Sequence, residues 1–273
     1  MQGGILRNES FVYYMQDGKN GTSGSAGKHF RIIKDIDFVN NHGYLLPDTV
    51  YSNFQGALQG NYMALNQISI SYVNNLSGSE VDYDKEAFGV FGSISTIPDN
   101  KLFNTVISNL TLNVVEVLSN THERVGALAG KIHTDKTKTD TKVILNNITV
   151  GGMGSRTAHI QGKNAAGGLA GIILGDVIIK DINVSANVNA TRDVSSGNVG
   201  SVLYNKNGSF TDIAYAGGVV GILDCNSIVD ASTQRNYNAS NIHFSGSVHI
   251  TGGVVGGAFG LVGRDSVVNY ANV

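Results

Sequence analysis

Zinc-assisted hydrolysis needs two histidines one helical turn apart with a glutamate beside the first. His122-Glu123-Arg124-Val125-Gly126 opens that way but has glycine where the second histidine belongs, so it reads as a solvated loop entering a strand. His29, His42, His133, His159, His243 and His249 show no close ligand spacing, and His243 and His249 read as outward-pointing strand residues. Acid–base cleavage of a polysaccharide needs two carboxylates on one face. Asp35 and Asp37, at i and i+2, meet that condition on a strand. The structural reading of this pair is favoured: Ile36 and Phe38 face inward while the aspartates meet water or cap loops. Glu80, Asp82, Asp84 and Glu86 form the densest acidic run, but the glycine-aspartate calcium repeat is missing, so a solvated loop is expected. Lys131, Lys136, Lys138 and Lys142 alternate with Thr and Asp and read as a soluble loop. Tyr13, Tyr14, Tyr44, Tyr51, Tyr62, Tyr72 and Tyr83 crowd the first third, where burial explains them better than sugar stacking. No catalytic, cofactor-binding or metal-ligating residue is assigned, the chain reads as not an enzyme, and no cofactor is expected.

These side chains must be held by a chain of 273 residues with 35 glycines, 2 prolines and 41% apolar residues. That apolar content excludes disorder, and scarce proline excludes a collagen-like helix. A formal charge of -2 supplies no field for nucleic acid or an anionic membrane, and neither is expected as a partner. The lone Cys225 excludes an internal disulfide, and no apolar stretch approaches the length of a membrane helix.

Repeats organise the chain. A glycine-apolar block recurs as Phe88-Gly89-Val90-Phe91-Gly92, Gly126-Ala127-Leu128-Ala129-Gly130, Gly167-Gly168-Leu169-Ala170-Gly171 and Gly217-Gly218-Val219-Val220-Gly221. A fifth copy is Gly252-Gly253-Val254-Val255-Gly256 or Phe259-Gly260-Leu261-Val262-Gly263. Between the copies lie Gln67-Ile68-Ser69-Ile70, Asn109-Leu110-Thr111-Leu112, Asn147-Ile148-Thr149-Val150, Asp181-Ile182-Asn183-Val184 and Asn241-Ile242-His243-Phe244. Each alternates apolar with polar, the period of a half-buried strand. Only Ser10 to Asp17 suggests an amphipathic turn. Two strands per unit of about 40 residues, without hairpin signals, predict an all-β, single-stranded parallel β-helix. The glycines, Gly92, Gly130, Gly171 and Gly221 among them, are expected to serve positive-φ corners and close backbone approach. Asn109, Asn147, Asp181 and Asn241 are expected to stack as a structural column.

In these blocks, and in the order in which they occur, the chain resembles the GLUG-repeat β-solenoids of large bacterial surface adhesins and of IgA-specific zinc metallopeptidases. Phe30 to Phe38 looks like the opening strand of such regions. Phe54-Gln55-Gly56-Ala57-Leu58-Gln59-Gly60-Asn61 looks like the segment that follows. The resemblance implies a right-handed coil and an extracellular or cell-surface location. Departures are Phe88 in place of a glycine, and an insertion within roughly residues 192 to 210.

The expected organisation is an N-terminal capping segment with the first strand over residues 1–53, then a parallel β-helix over 54–273 that continues beyond the C-terminus or stacks end to end. About 11 turns of about 20 residues would make a rod. The expected function is a non-enzymatic structural or adhesive stalk. The alternatives are an accessory region of a secreted zinc peptidase and a polysaccharide-cleaving β-helix. A host or cell-surface glycan or protein would be met through loops, with Asn74, Glu80, Asp82, Asp84, Lys136, Asp140, Arg192, Asn207, Asn226 and Asn238 as candidate contacts.

Overall fold

Alternating Ile, Leu and Val against Ser, Thr and Asn gives each recurring segment one wet and one dry face, and three sheets bury the dry faces together. The structure is a computed structural model describing residues 24–38, 53–72, 87–98, 102–120, 123–134, 141–191, 214–224, 235–250, 253–263 and 266–271. All the sheet pairing is parallel, and the described residues contain no helix.

The chain visits the sheets in a fixed order. A long strand, Thr105–Ser119, is followed by short strands Arg124–Gly126 and Ala129–His133. The next round has Val143–Gly151 and Ala158–Gly162, then Ala165–Gly167, then Ala170–Leu174. Val177–Ala190, Ala214–Gly217 and Val220–Asp224 follow, and then Arg235–Ile250, Gly253–Gly256 and Phe259–Val262. Every strand pairs with its equivalent one round away. An earlier round comprises Ala57–Tyr72, Ala87–Phe88 and Phe91–Ser95. Before it, His29–Arg31 and Ile36–Asp37 pair with Ala57–Tyr72, and Asn53–Phe54 pairs with Phe91–Ser95.

The unit therefore holds three strands rather than two. Adjacent rungs lie 28 to 60 residues apart in sequence, so the expected turn of about 20 residues was too short. The difference lies in the glycine block, which spans the ends of two short strands where one strand was expected. Gly126 ends one short strand, Gly130 lies in the next, and the corner between them is the buried apolar pair Ala127-Leu128, which carries no turn signal.

Register also corrects the repeat alignment. Gly217 pairs with Gly256 and Val220 with Phe259, so the fifth copy is Gly256-Gly257-Ala258-Phe259-Gly260, neither of the two registers read from sequence. In the first copy Phe88 pairs with Val125, which puts Gly89 beside Gly126, and the corner is one residue shorter. Leu110 and Leu112 pair with Met63 and Leu65, not with Ile68 and Ile70.

Candidate functional site

The chemistry this fold concentrates is a set of polar columns running across the rungs of the long sheet. Asn109, Asn147, Asp181 and Asn241 occupy one column, all with φ between 52° and 54°. That left-handed backbone is tolerated by Asn and Asp better than by other side-chain-bearing residues. It also shifts the inward phase of the strand by one residue. In Val143–Gly151 the buried positions are Val143 and Leu145 before the kink, and Ile148 and Val150 after it. The positive φ expected at repeat glycines thus falls on the Asn column. Among the described residues, the positive-φ glycines, Gly27, Gly154, Gly175 and Gly246, lie outside the recurring blocks.

Side-chain amides link this column. Asn241 Nδ2 donates to Asp181 Oδ1 at 2.6 Å, Asn147 Nδ2 to Asn109 Oδ1 at 2.7 Å, and Asn109 Nδ2 to Gln59 Oε1 at 3.2 Å. Donation always runs toward the N-terminal rung. Asp181 interrupts it, because a carboxylate has no hydrogen to pass to Asn147. Its contact with Lys180, at 4.0 Å on a well-exposed ammonium, compensates little. Replacing Asp181 with Asn keeps the left-handed backbone and supplies the missing donor. The expected gain is about 0.5–1.5 kcal/mol, read as a higher midpoint in denaturant with unchanged slope.

A second column, not foreseen from sequence, runs parallel. Asn113 Nδ2 donates to Asn66 Oδ1 at 2.6 Å, and Asn66 Nδ2 to Asp37 Oδ1 at 2.7 Å. Asp37 terminates this ladder, while Asp35 Oδ1 accepts the Ala64 backbone N–H at 2.8 Å. The two carboxylates considered as an acid–base pair are thus both engaged in joining the first two rungs, with Ile36 and Phe38 buried as expected. The signal for this column was the spacing of Asn66 and Asn113, hidden by the misplaced register of the earlier strand.

The outer face of the long sheet carries several histidines. His159, His243 and His249 are exposed, and His159 sits between Glu116 and Asn187 across the rungs. On the first rung of the same sheet His29 meets the Phe103 ring edge-on at 5.5 Å. His29, Arg31, Gln59, Val106 and Ser108 line an open hollow of about 340 Å³ at the first rungs. No three His, Cys, Asp or Glu side chains converge on a common point among the described residues. Glu123 offers its backbone carbonyl to the N–H groups of Asn164 and Ala165. Tyr215 is buried with its hydroxyl unpartnered, and burial raises its pKa above the ordinary value.

Of the candidate ligand contacts, Asn74, Glu80, Asp82, Asp84, Lys136, Asp140, Arg192, Asn207 and Asn226 lie outside the described residues, as do the N-terminal turn and the insertion. Asn238 is not on a loop: it lies within the long strand Arg235–Ile250, paired with Ile178 and Asn269. Gly92, Gly130, Gly171 and Gly221 fall in one register column of a short sheet. No helix among the described residues is long and apolar enough to cross a membrane. No protein-family model, curated protein or solved structure matches the chain.

Proposed function

We propose that this chain is a non-enzymatic structural or adhesive repeat segment of an extracellular bacterial surface protein. In this reading it is a single right-handed parallel β-helix of the GLUG-repeat kind, with residues 1–53 capping its first turn. One observation carries the proposal: nine polar side chains of the long sheet are hydrogen-bonded along the stack rather than turned toward a common point. Asp35, Asp37, Gln59, Asn66, Asn109, Asn113, Asn147, Asp181 and Asn241 all hold rung to rung or strand to strand. Catalysis requires polar groups aimed at a substrate, whereas these are aimed along the stack. A stack bonded in this way resists bending and suits projection from a surface, with ligand contacts left to the loops.

The test has two measurements on the folded chain. It is incubated with pectin, alginate and glycosaminoglycans, and it is displayed on a non-adherent cell over mucin- and matrix-coated surfaces. Retention of the displaying cells without release of sugar products is the expected result. Turnover that yields new reducing ends or unsaturated uronates would overturn the reading.

A further inference from the structure

Strand alternation on the long sheet sends a second set of side chains outward in register. His29, Ala57, Val106, Ile144 and Ile178 form one outer column, and Arg31, Gln59, Ser108, Asn146 and Lys180 form the next. Between the two columns Leu58, Ile107, Leu145 and Ile179 point into the core. After His29 the first column is apolar, with Val106, Ile144 and Ile178 half-buried. The second is polar and begins and ends on a cation. These ten residues include no Asp or Glu, although the whole chain has a formal charge of -2.

The hollow of about 340 Å³ lies over these columns, across three consecutive strands, and so on the face of the sheet rather than at an end of the stack. Ala57 and Val106 form its floor. The row Arg31, Gln59 and Ser108 lines one side, and His29 closes it at the first strand with its ring held edge-on against Phe103. Ligand sites run from about 300 to 1,000 Å³, so this one admits about one or two sugar rings. Its polar side is already oriented. Asn61 Oδ1 accepts from Arg31 Nη2 at 2.9 Å, and being uncharged it positions the guanidinium without neutralising it. Gln59 Oε1 accepts from Ser108 Oγ and Asn109 Nδ2, which leaves the Gln59 Nε2 hydrogens as donors.

An apolar floor beside a row of donors and one unneutralised guanidinium suits an anionic sugar. The ring's C–H face meets Ala57 and Val106, its hydroxyls meet Gln59 and Ser108, and its charged substituent meets Arg31. A peptide strand is recognised through main-chain bonds at a sheet edge, whereas Ala57, Leu58 and Gln59 are paired with strands on both sides. We propose that this hollow binds one anionic sugar ring of a glycan, a uronate or a sulfated residue, with Arg31 taking the charge. The apolar column then continues through Ile144 and Ile178 as a track for the following rings. The proposal rests on the adhesive reading above and deepens it, adding to the loops a contact on the sheet itself.

The experiment titrates the full chain, by calorimetry and amide NMR shifts, with tetramers of galacturonate, of sulfated galactose, of neutral galactose and of glutamate. Binding of an acidic sugar tetramer is expected, with shifts centred on residues 29–31, 57–59 and 106–108, and whichever acidic sugar binds identifies the charged group. Arg31→Gln should weaken it at least about tenfold, the value of a hydrogen bond to a charged group, and added salt should weaken it too. Ala57→Leu fills the hollow without altering charge and should also reduce binding, with circular dichroism establishing that both variants are folded. No binding of either acidic sugar, equal binding of the neutral one, preference for tetraglutamate, or affinity indifferent to both substitutions would overturn the proposal. Shortened tetramers recovered after titration would overturn the non-enzymatic reading, whereas intact tetramers without binding overturn this site alone, so the two failures are distinct.

Discussion

Replacing Gly171 with Ala is expected to cost about 3 kcal/mol or more of folding stability, read as a large fall in the urea midpoint. Gly171 lies in the buried strand Ala170–Leu174, where a Cβ would stand 2.5 Å from the Val125 nitrogen, 2.7 Å from the Gly130 oxygen and 2.9 Å from the Arg124 carbonyl carbon. All three are backbone atoms of the neighbouring rung, so no side chain can swing aside to relieve the overlap. Gly130, Gly221 and Gly260 are hemmed in by backbone in the same way. Moving one rung would therefore strain the column above and below it. Overpacking of this kind costs about 3 kcal/mol or more, a large part of the ~5–15 kcal/mol by which domains are stable. Gly151 is the control. It is also a strand residue, yet an added Cβ there meets nothing within 4 Å. Urea unfolding followed by circular dichroism should place Gly151→Ala within about 0.5 kcal/mol of the parent. Equal loss in both variants would show that generic strand propensity, rather than contact between the short sheets, explains the repeat glycines.

The same close approach explains which parts of the fold were legible in the sequence. Gly126, Gly167 and Gly217 recur because two short sheets meet at a narrow corner, and that recurrence was visible without coordinates. The corner itself was not visible. Ala127-Leu128 and Gly168-Leu169 turn the chain inside the core, whereas the residues that betray turns in a sequence are those suited to solvent. The segment from Gly252 to Gly263 has glycines at several periods, so only strand pairing could fix its register. The Asn column was legible in residue type because each copy precedes an Ile or Leu that starts a dry run. Its backbone was not, since alternation assumes an unbroken strand and these residues break the phase. In Ala57–Tyr72, Asn61, Tyr62 and Gln67 all have positive φ, and the register shifts three times. Alignment by pattern picked Gln67 there, although Leu110 pairs with Met63, just after Asn61 and Tyr62.

The column's role in setting phase can be separated from its role in bonding. Substitution of Asn147 by Gly preserves access to φ 53° and removes only the amide that donates to Asn109, so a loss of about 1 kcal/mol is expected. Substitution by Val removes the same bond and adds a β-branched side chain in a conformation that costs about 1–3 kcal/mol. The combined loss is about 2–4 kcal/mol, or a fall of roughly 4–16 °C in Tm for a domain of this size. The difference between the two variants is the informative quantity. A valine that escaped the strain by extending the strand would carry Ile148 and Val150 from the core to the solvent face, because a one-residue slip exchanges the two faces. Their neighbours Leu110 and Ile182 would lose their partners in the same step. Strain and slip therefore both penalise valine, and neither touches glycine. Equal stability of Asn147→Gly and Asn147→Val by thermal and urea unfolding would show that the left-handed residue does not set the phase of the strand. Equal stability of Asn147→Gly and the parent would show that the amide ladder contributes nothing to the stack.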